Sequence, residues 1–225
     1  MNKIRLILLD ALILFAVSTV FVVFADRAFS GLKGKIPKDD PVVTAIGQGQ
    51  IDGLRASIAL LEKDPKVGAK VALKTDEHGR TSLMRAAYAN LVDAGKLKEA
   101  DDKRTEMIGV LLEHGALIDA VDHDGWTALM WACWSGMPAT VDRLLESGAS
   151  PAAADAEDNT ALIIAAQRGH AGIVKALLAK GADRSARNKA GKTALAAAET
   201  GFAEHPANQY PELESGYQAV LAALR

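Results

Sequence analysis

Apolar residues follow two different rhythms along this chain. Over residues 6–25 they run almost unbroken, interrupted only by Asp10, Ser18 and Thr19. As a helix such a run would be about 30 Å long, enough to cross a bilayer. Beyond residue 40 the rhythm becomes short and helical. Ile173, Val174, Leu177 and Leu178 fall at i, i+1, i+4 and i+5, a broad apolar stripe on one helix. Ahead of them Leu162, Ala165 and Ala166 share one face of a shorter helix that starts near Thr160, and the alanines let a neighbouring helix approach closely. Gly181 stands where a helix ends in the left-handed conformation. The pattern predicts pairs of short helices joined by polar turns.

The pairs repeat. A Thr-Ala-Leu phrase opens at Thr127, Thr160 and Thr193, each 33 residues after the last (160 less 127, 193 less 160). Thr81-Ser82-Leu83 stands 46 residues before Thr127 (127 less 81), one period and 13 more. A period of this size marks a stacked-repeat protein, because one helix pair cannot bury its apolar face alone. In register with these phrases stand Asp76, Asp122 and Asp155, the pairs Ala86-Ala87, Ala132-Cys133 and Ala165-Ala166, and the glycines Gly115, Gly148 and Gly181. The fourth copy keeps Gly191 and Ala197-Ala198 and dissolves after Gly201.

These residues resemble ankyrin repeats, strongly over 76–200 and weakly over 41–73, where Ala45-Ile46, Gly49, Leu54, Ile58 and Leu61 echo the pattern. The resemblance implies an all-α ankyrin-repeat solenoid, built of helix-turn-helix repeats with short fingers. The domain plan reads as a signal-anchor or signal peptide over 1–29, a solvated linker over 30–40, and a repeat domain over 41–225. Within the last, a degenerate cap covers 41–75, repeats start near 76, 122, 155 and 188, and a closing helix covers 213–225. The family usually opens its first helix with Thr-Pro-Leu-His, and no copy here keeps the Pro or the His. Stability is therefore expected to rest more on apolar packing. Asp158 replaces the finger glycine of the third copy and is expected to alter that turn.

The family's contact positions are the fingers and the residues just after the alanine pair. Carried onto this sequence they are Arg80 and Tyr88 in the first copy, His123, Asp124, Trp126 and Trp134 in the second, Asn159, Gln167 and Arg168 in the third, and Lys189 and Lys192 in the fourth. Glu77, His78, Ser135, Glu157 and Glu199 occupy the same kinds of position. Trp131 is offset by one helical step and is expected to pack at the edge of the stack. The charged stretch 90–105 within the first copy, between its two helices, reads as a solvated helix extension or loop.

Lys3 and Arg5 precede the apolar run, which exceeds the 7–15 residues of a cleaved signal and so favours an uncleaved anchor. Val23-Phe24-Ala25 would serve as a cleavage site, which keeps open a soluble periplasmic form. Arg27, Lys33, Lys35 and Lys38 on the far side weaken the charge argument for orientation. A short basic head before an apolar run still reads as an export signal. The expectation is a single-pass protein of the bacterial inner membrane, anchored through residues 6–25, with its repeats in the periplasm. A cytosol-facing tethered regulator remains the alternative topology.

Composition narrows the chemistry. The 225 residues, 49% hydrophobic, supply one elongated domain besides the apolar run. Lys plus Arg at 26 nearly balances Asp plus Glu at 28, so nucleic acid is not an expected partner. With Cys133 as the only cysteine, no internal disulfide forms. Gly191-Lys192-Thr193 ends like a phosphate-binding loop, but the required glycine is Ala186. Asp122-His123-Asp124 has turn chemistry before it has metal chemistry. No catalytic residue, cofactor, metal or small-molecule substrate is expected. The reading is a monomeric, non-catalytic protein–protein interaction module, with an envelope immunity or inhibitor protein as the alternative.

Overall fold

The computed structural model describes residues 40–62, 76–88, 97–204 and 211–225. The apolar run over 6–25 lies outside them. Among the described residues no helix is long and apolar enough to cross a membrane.

Ten α-helices occur among the described residues, in five pairs. α1 (Pro41–Gln48) pairs with α2 (Ile51–Glu62), α3 (Ser82–Ala87) with α4 (Leu97–Glu113), and α5 (Ala128–Ser135) with α6 (Pro138–Glu146). α7 (Ala161–Gln167) pairs with α8 (Ala171–Ala179), and α9 (Ala194–Glu204) with α10 (Pro211–Leu224). First helices pack in the order α1, α3, α5, α7, α9, and second helices in the order α2, α4, α6, α8, α10. The repeats thus build two helical layers, and the core lies between them.

Each first helix from α3 onward starts where a threonine fixes it. The Oγ1 atoms of Thr81, Thr127, Thr160 and Thr193 accept the backbone N–H three residues on, at 3.3, 3.3, 3.4 and 3.4 Å. Those N–H groups have no partner within the helix, so the hydroxyl sets the start. The following leucines Leu83, Leu129 and Leu162 are buried, as are the small pairs Ala86-Ala87, Ala132-Cys133, Ala165-Ala166 and Ala197-Ala198. On the second helices Leu111, Leu144, Ile173, Val174 and Leu177 are buried, facing the stack. In the first pair Asp40 caps α1 by accepting from Val42 N at 3.0 Å and Val43 N at 3.4 Å. Ala45, Ile46, Leu54 and Ile58 close its core.

Two stretches differ from the sequence expectation. The fourth copy does not dissolve at Gly201: α9 runs on to Glu204 and packs closely on α7, with Gly201 against the Gln167 carbonyl, where a side chain would collide. Tyr217 of α10 then donates its hydroxyl to that same carbonyl at 2.8 Å. The closing helix starts at Pro211, two residues ahead of 213.

The second difference is the charged stretch. Leu111 and Leu144 are in register (144 less 111 is 33), so a helix matching α6 would start at residue 105 (138 less 33), and α4 starts eight residues earlier, at Leu97. This extension is only partly solvated. Lys98, Glu99, Asp102 and Lys103 are exposed, yet Asp101 is buried. Its carboxylate accepts from Ala139 N and Thr140 N, both at 2.8 Å, and from Thr140 Oγ1 at 2.7 Å. Arg104 donates to the carbonyls of Arg85 and Ala86 at 3.1 and 3.0 Å, closing the C-terminal end of α3. The extension ties one repeat to the next.

Candidate functional site

The finger turns are built by one carboxylate each. Asp76 Oδ1 accepts from His78 N and Arg80 N, both at 2.9 Å. Asp122 Oδ1 accepts from Asp124 N at 3.1 Å and Trp126 N at 2.8 Å, and Asp155 Oδ1 from Glu157 N and Asn159 N, both at 2.8 Å. In the fourth copy the amide oxygen of Asn188 accepts from Lys192 N at 2.9 Å. A short acceptor two to four residues ahead of these N–H groups ties each turn from within.

The fingers are also bonded to each other. His123 N donates to His78 O at 3.0 Å, Ala156 N to Asp124 O at 2.9 Å, and Lys189 N to Glu157 O at 3.0 Å. Asn188 Nδ2 adds a side-chain bond to Asn159 Oδ1 at 2.8 Å. Asp158 does not alter its turn: at φ 59° it adopts the left-handed conformation that Gly79, Gly125 and Gly191 adopt in the other fingers. Aspartate tolerates this region better than most residues with a side chain, so the third finger keeps its shape.

Beside this row lies a continuous aromatic surface. Trp126, at the root of the second finger, packs on Trp131 with ring centroids 4.7 Å apart and on Trp134 at 5.8 Å. Tyr88, at the end of α3, meets Trp131 edge-on at 5.5 Å. Arg168, at the end of α7, lays its guanidinium over Trp134, 4.4 Å from the ring centroid. Three consecutive first helices therefore contribute to one patch. Trp131 is its buried floor, and its Nε1 donates to Asp122 Oδ2 at 3.1 Å. Burial pushes the Asp122 carboxyl above the usual carboxylate range, against the hydrogen bonds from Trp126, Trp131 and Asp124.

Of the residues that the sequence nominates for partner contact, Tyr88, Trp126, Trp134 and Arg168 meet in this patch, with Gln167 exposed beside Arg168. His123, Asp124, Lys189 and Lys192 are exposed on the fingers. Asn159 is half-buried, its amide shared between Asp155 and Asn188. Arg80 is turned inward, its guanidinium 2.8 Å from Asp76 Oδ2, where Arg85 also bonds at 2.6 Å. Burial opposes ionisation of Asp76, but the hydrogen bonds and charge of Arg80 outweigh it and hold the carboxyl below its usual range. Trp131, expected to pack rather than to make contact because it is not at a finger or a post-alanine position, is buried beneath Tyr88 and Trp126. Its spacing of three from Trp134 was the available signal.

The reactive groups are spent on structure. Cys133 is fully buried in α5, and burial pushes its thiol up, away from nucleophilic use. Asp122, the first residue of the Asp122-His123-Asp124 tip, commits both oxygens to the turn and to Trp131. Among the described residues no group of three His, Cys, Asp or Glu could hold a metal ion. His170 bonds the Trp134 backbone through one ring nitrogen and buries Nε2 without a partner; burial and the charge of Arg168 bring its pKa down to about 4.

Comparison with known families matches residues 99–155 to the family described as Ankyrin repeats (3 copies) and residues 135–178 to Ankyrin repeats (many copies). The matched stretches cover α5, α6, α7 and most of α4 and α8. Residues 99–178 thus match ankyrin repeats, and repeats of this kind form protein–protein interaction modules.

Proposed function

We propose that this chain, built of ankyrin repeats, captures a protein partner through its finger tips and the exposed face of its first helices, with Trp126 and Trp134 as anchors. The observation that carries this reading is the aromatic patch spanning α3, α5 and α7 on the same side as the finger row. Neither Trp126 nor Trp134 is fully buried. Large, half-exposed indoles held rigid by their neighbours are the side chains that dominate binding energy when a partner covers them. The remaining contact positions, His123, Asp124, Asn159, Gln167, Lys189 and Lys192, would form the polar rim.

The test is capture from solubilised membranes with the full-length chain as bait. Trp126→Ala with Trp134→Ala is expected to abolish recovery of the bound protein while the helical circular dichroism persists. Recovery at wild-type yield would remove these residues from the interface. The chain is also proposed to sit at the bacterial inner membrane through residues 6–25, with its repeats in the periplasm, on the strength of the basic head and apolar run.

A further inference from the structure

The near balance of charge over the whole chain hides a segregation along the finger row. The second and third fingers expose Asp124, Glu157 and Asp158, with only His123 beside them. The fourth exposes Arg184, Arg187, Lys189 and Lys192. Its one acid, Asp183, accepts from Ser185 N at 2.8 Å and Ser185 Oγ at 2.7 Å, neutral donors that keep its charge, so the finger still carries an excess of three positive charges (four cations less one acid). Arg187 donates to the Gly191 carbonyl at 2.8 Å and Lys192 Nζ to Thr200 Oγ1 at 3.4 Å, so both cations are held by neutral acceptors that leave their charge uncompensated. Among the described residues no carboxylate forms an ion pair with any of the four. The change of sign falls across a single step of the row, where Lys189 N bonds Glu157 O and Asn188 bonds Asn159.

We propose that the finger row binds a charge-ordered protein segment, whose acidic block lies against Arg184, Arg187, Lys189 and Lys192 and whose basic block lies against Asp124, Glu157 and Asp158. The inference rests on the finger row being the partner surface and names the chemistry of what it recognises. Exposed charges act over about 8 Å at physiological salt, so each finger senses only the part of a ligand directly over it. A uniformly anionic ligand, whether a nucleic acid or a lipid surface, is attracted by the fourth finger and repelled by the second and third. Only a ligand with both signs in blocks gains at every finger, which selects by repulsion as well as attraction. A second copy of this chain in antiparallel register would match the signs. Contacts between exposed tips alone, however, are the weak ion pairs of an interface rim and lack the apolar centre of a stable dimer.

The experiment uses the full-length chain in non-ionic detergent and two fluorescent peptides of identical composition. One carries three lysines followed by three glutamates, the other the same residues in alternation, and neither contains an aromatic residue. Fluorescence anisotropy at low salt is expected to give at least roughly tenfold tighter binding of the blocked peptide, a difference that shrinks as salt rises. Lys189→Glu with Lys192→Glu should erase the difference. Adding Arg184→Glu and Arg187→Glu together with Asp124→Lys, Glu157→Lys and Asp158→Asn exchanges the signs and should restore it, since the peptide can bind in reverse. Equal affinity for the two peptides overturns the proposal. So does binding to phosphatidylglycerol vesicles, lost in the Lys189→Glu, Lys192→Glu variant, when neither peptide binds. Salt-dependent dimerisation seen by light scattering without peptide binding overturns it as well. If the peptides fail while the double tryptophan variant still loses its captured partner, the charges have been misread and the surface has not.

Discussion

Asp101 and Thr140 are joined twice, by a carboxylate that accepts both the backbone N–H and the hydroxyl of the threonine at 2.8 and 2.7 Å. They belong to different repeats. α6 starts with Pro138, which has no N–H, and Met137 ahead of it makes no side-chain cap. Ala139 and Thr140 are then the donors left open, and Asp101 takes both. Negative charge here also faces the positive end of the helix dipole.

Removing this carboxylate is therefore expected to cost more than an exposed cap. Asp101→Ala should destabilise the fold by about 2–3 kcal/mol, because three donors, the two on Thr140 buried, lose their acceptor. Asp101→Asn keeps one acceptor oxygen and should lose about half as much. Urea unfolding followed by circular dichroism checks both; an Asp101→Ala midpoint equal to wild type would mean that water caps α6 instead.

Leu177 is fully buried on α8, between the stacked second helices, whereas Lys189 is exposed on a finger. Leu177→Ala should destabilise by roughly 2–5 kcal/mol and Lys189→Ala by less than about 0.5 kcal/mol. Coincident denaturant midpoints for the two variants would contradict the repeat register.

His170 makes stability depend on pH in a stated direction. Its folded pKa of about 4 lies below the ordinary value of 6.5, so below pH 6.5 the unfolded chain takes up a proton that the folded chain refuses. This contribution is full above pH 6.5 and is lost as pH falls toward 4. Between pH 7.5 and 5.5 the loss should be about 1 kcal/mol. The same pair of urea titrations on His170→Gln should show a smaller difference; an unchanged one would place the effect elsewhere.

The proposed topology predicts that alkaline phosphatase fused after Arg225 is active and that a green fluorescent protein at the same site stays dark. Fluorescence without phosphatase activity would put the repeats in the cytosol.

The repeat frame was legible because its signals are local and periodic. Each Thr caps a helix three residues away, and each finger Asp folds a turn within four, so both survive in a single sequence. The Asp101 cap was not legible, since its donors are 38 and 39 residues away and the stretch that carries it looks solvated by composition. Asp158 misled for the opposite reason. A glycine is the usual residue at its φ of 59°, but the turn is held by Asp155 and the neighbouring finger, and these override the local preference. The aromatic patch was half legible: Trp126 and Trp134 stood out at contact positions, while Trp131, which supports both, takes its role from a buried bond to Asp122.

The finger-to-finger bonds separate what the row holds from what it shows. Spacing is carried by main-chain atoms at residues 78, 123, 124, 156, 157 and 189, whose side chains take no part in the ladder. Tip side chains can therefore be exchanged one at a time without shifting their neighbours or changing the length of the chain. Inherited variation should collect at His123, Asp124, Glu157 and Lys189 and spare Asp122, Asp155 and Asn188, so that new partners are reached by point substitution on an unmoved frame.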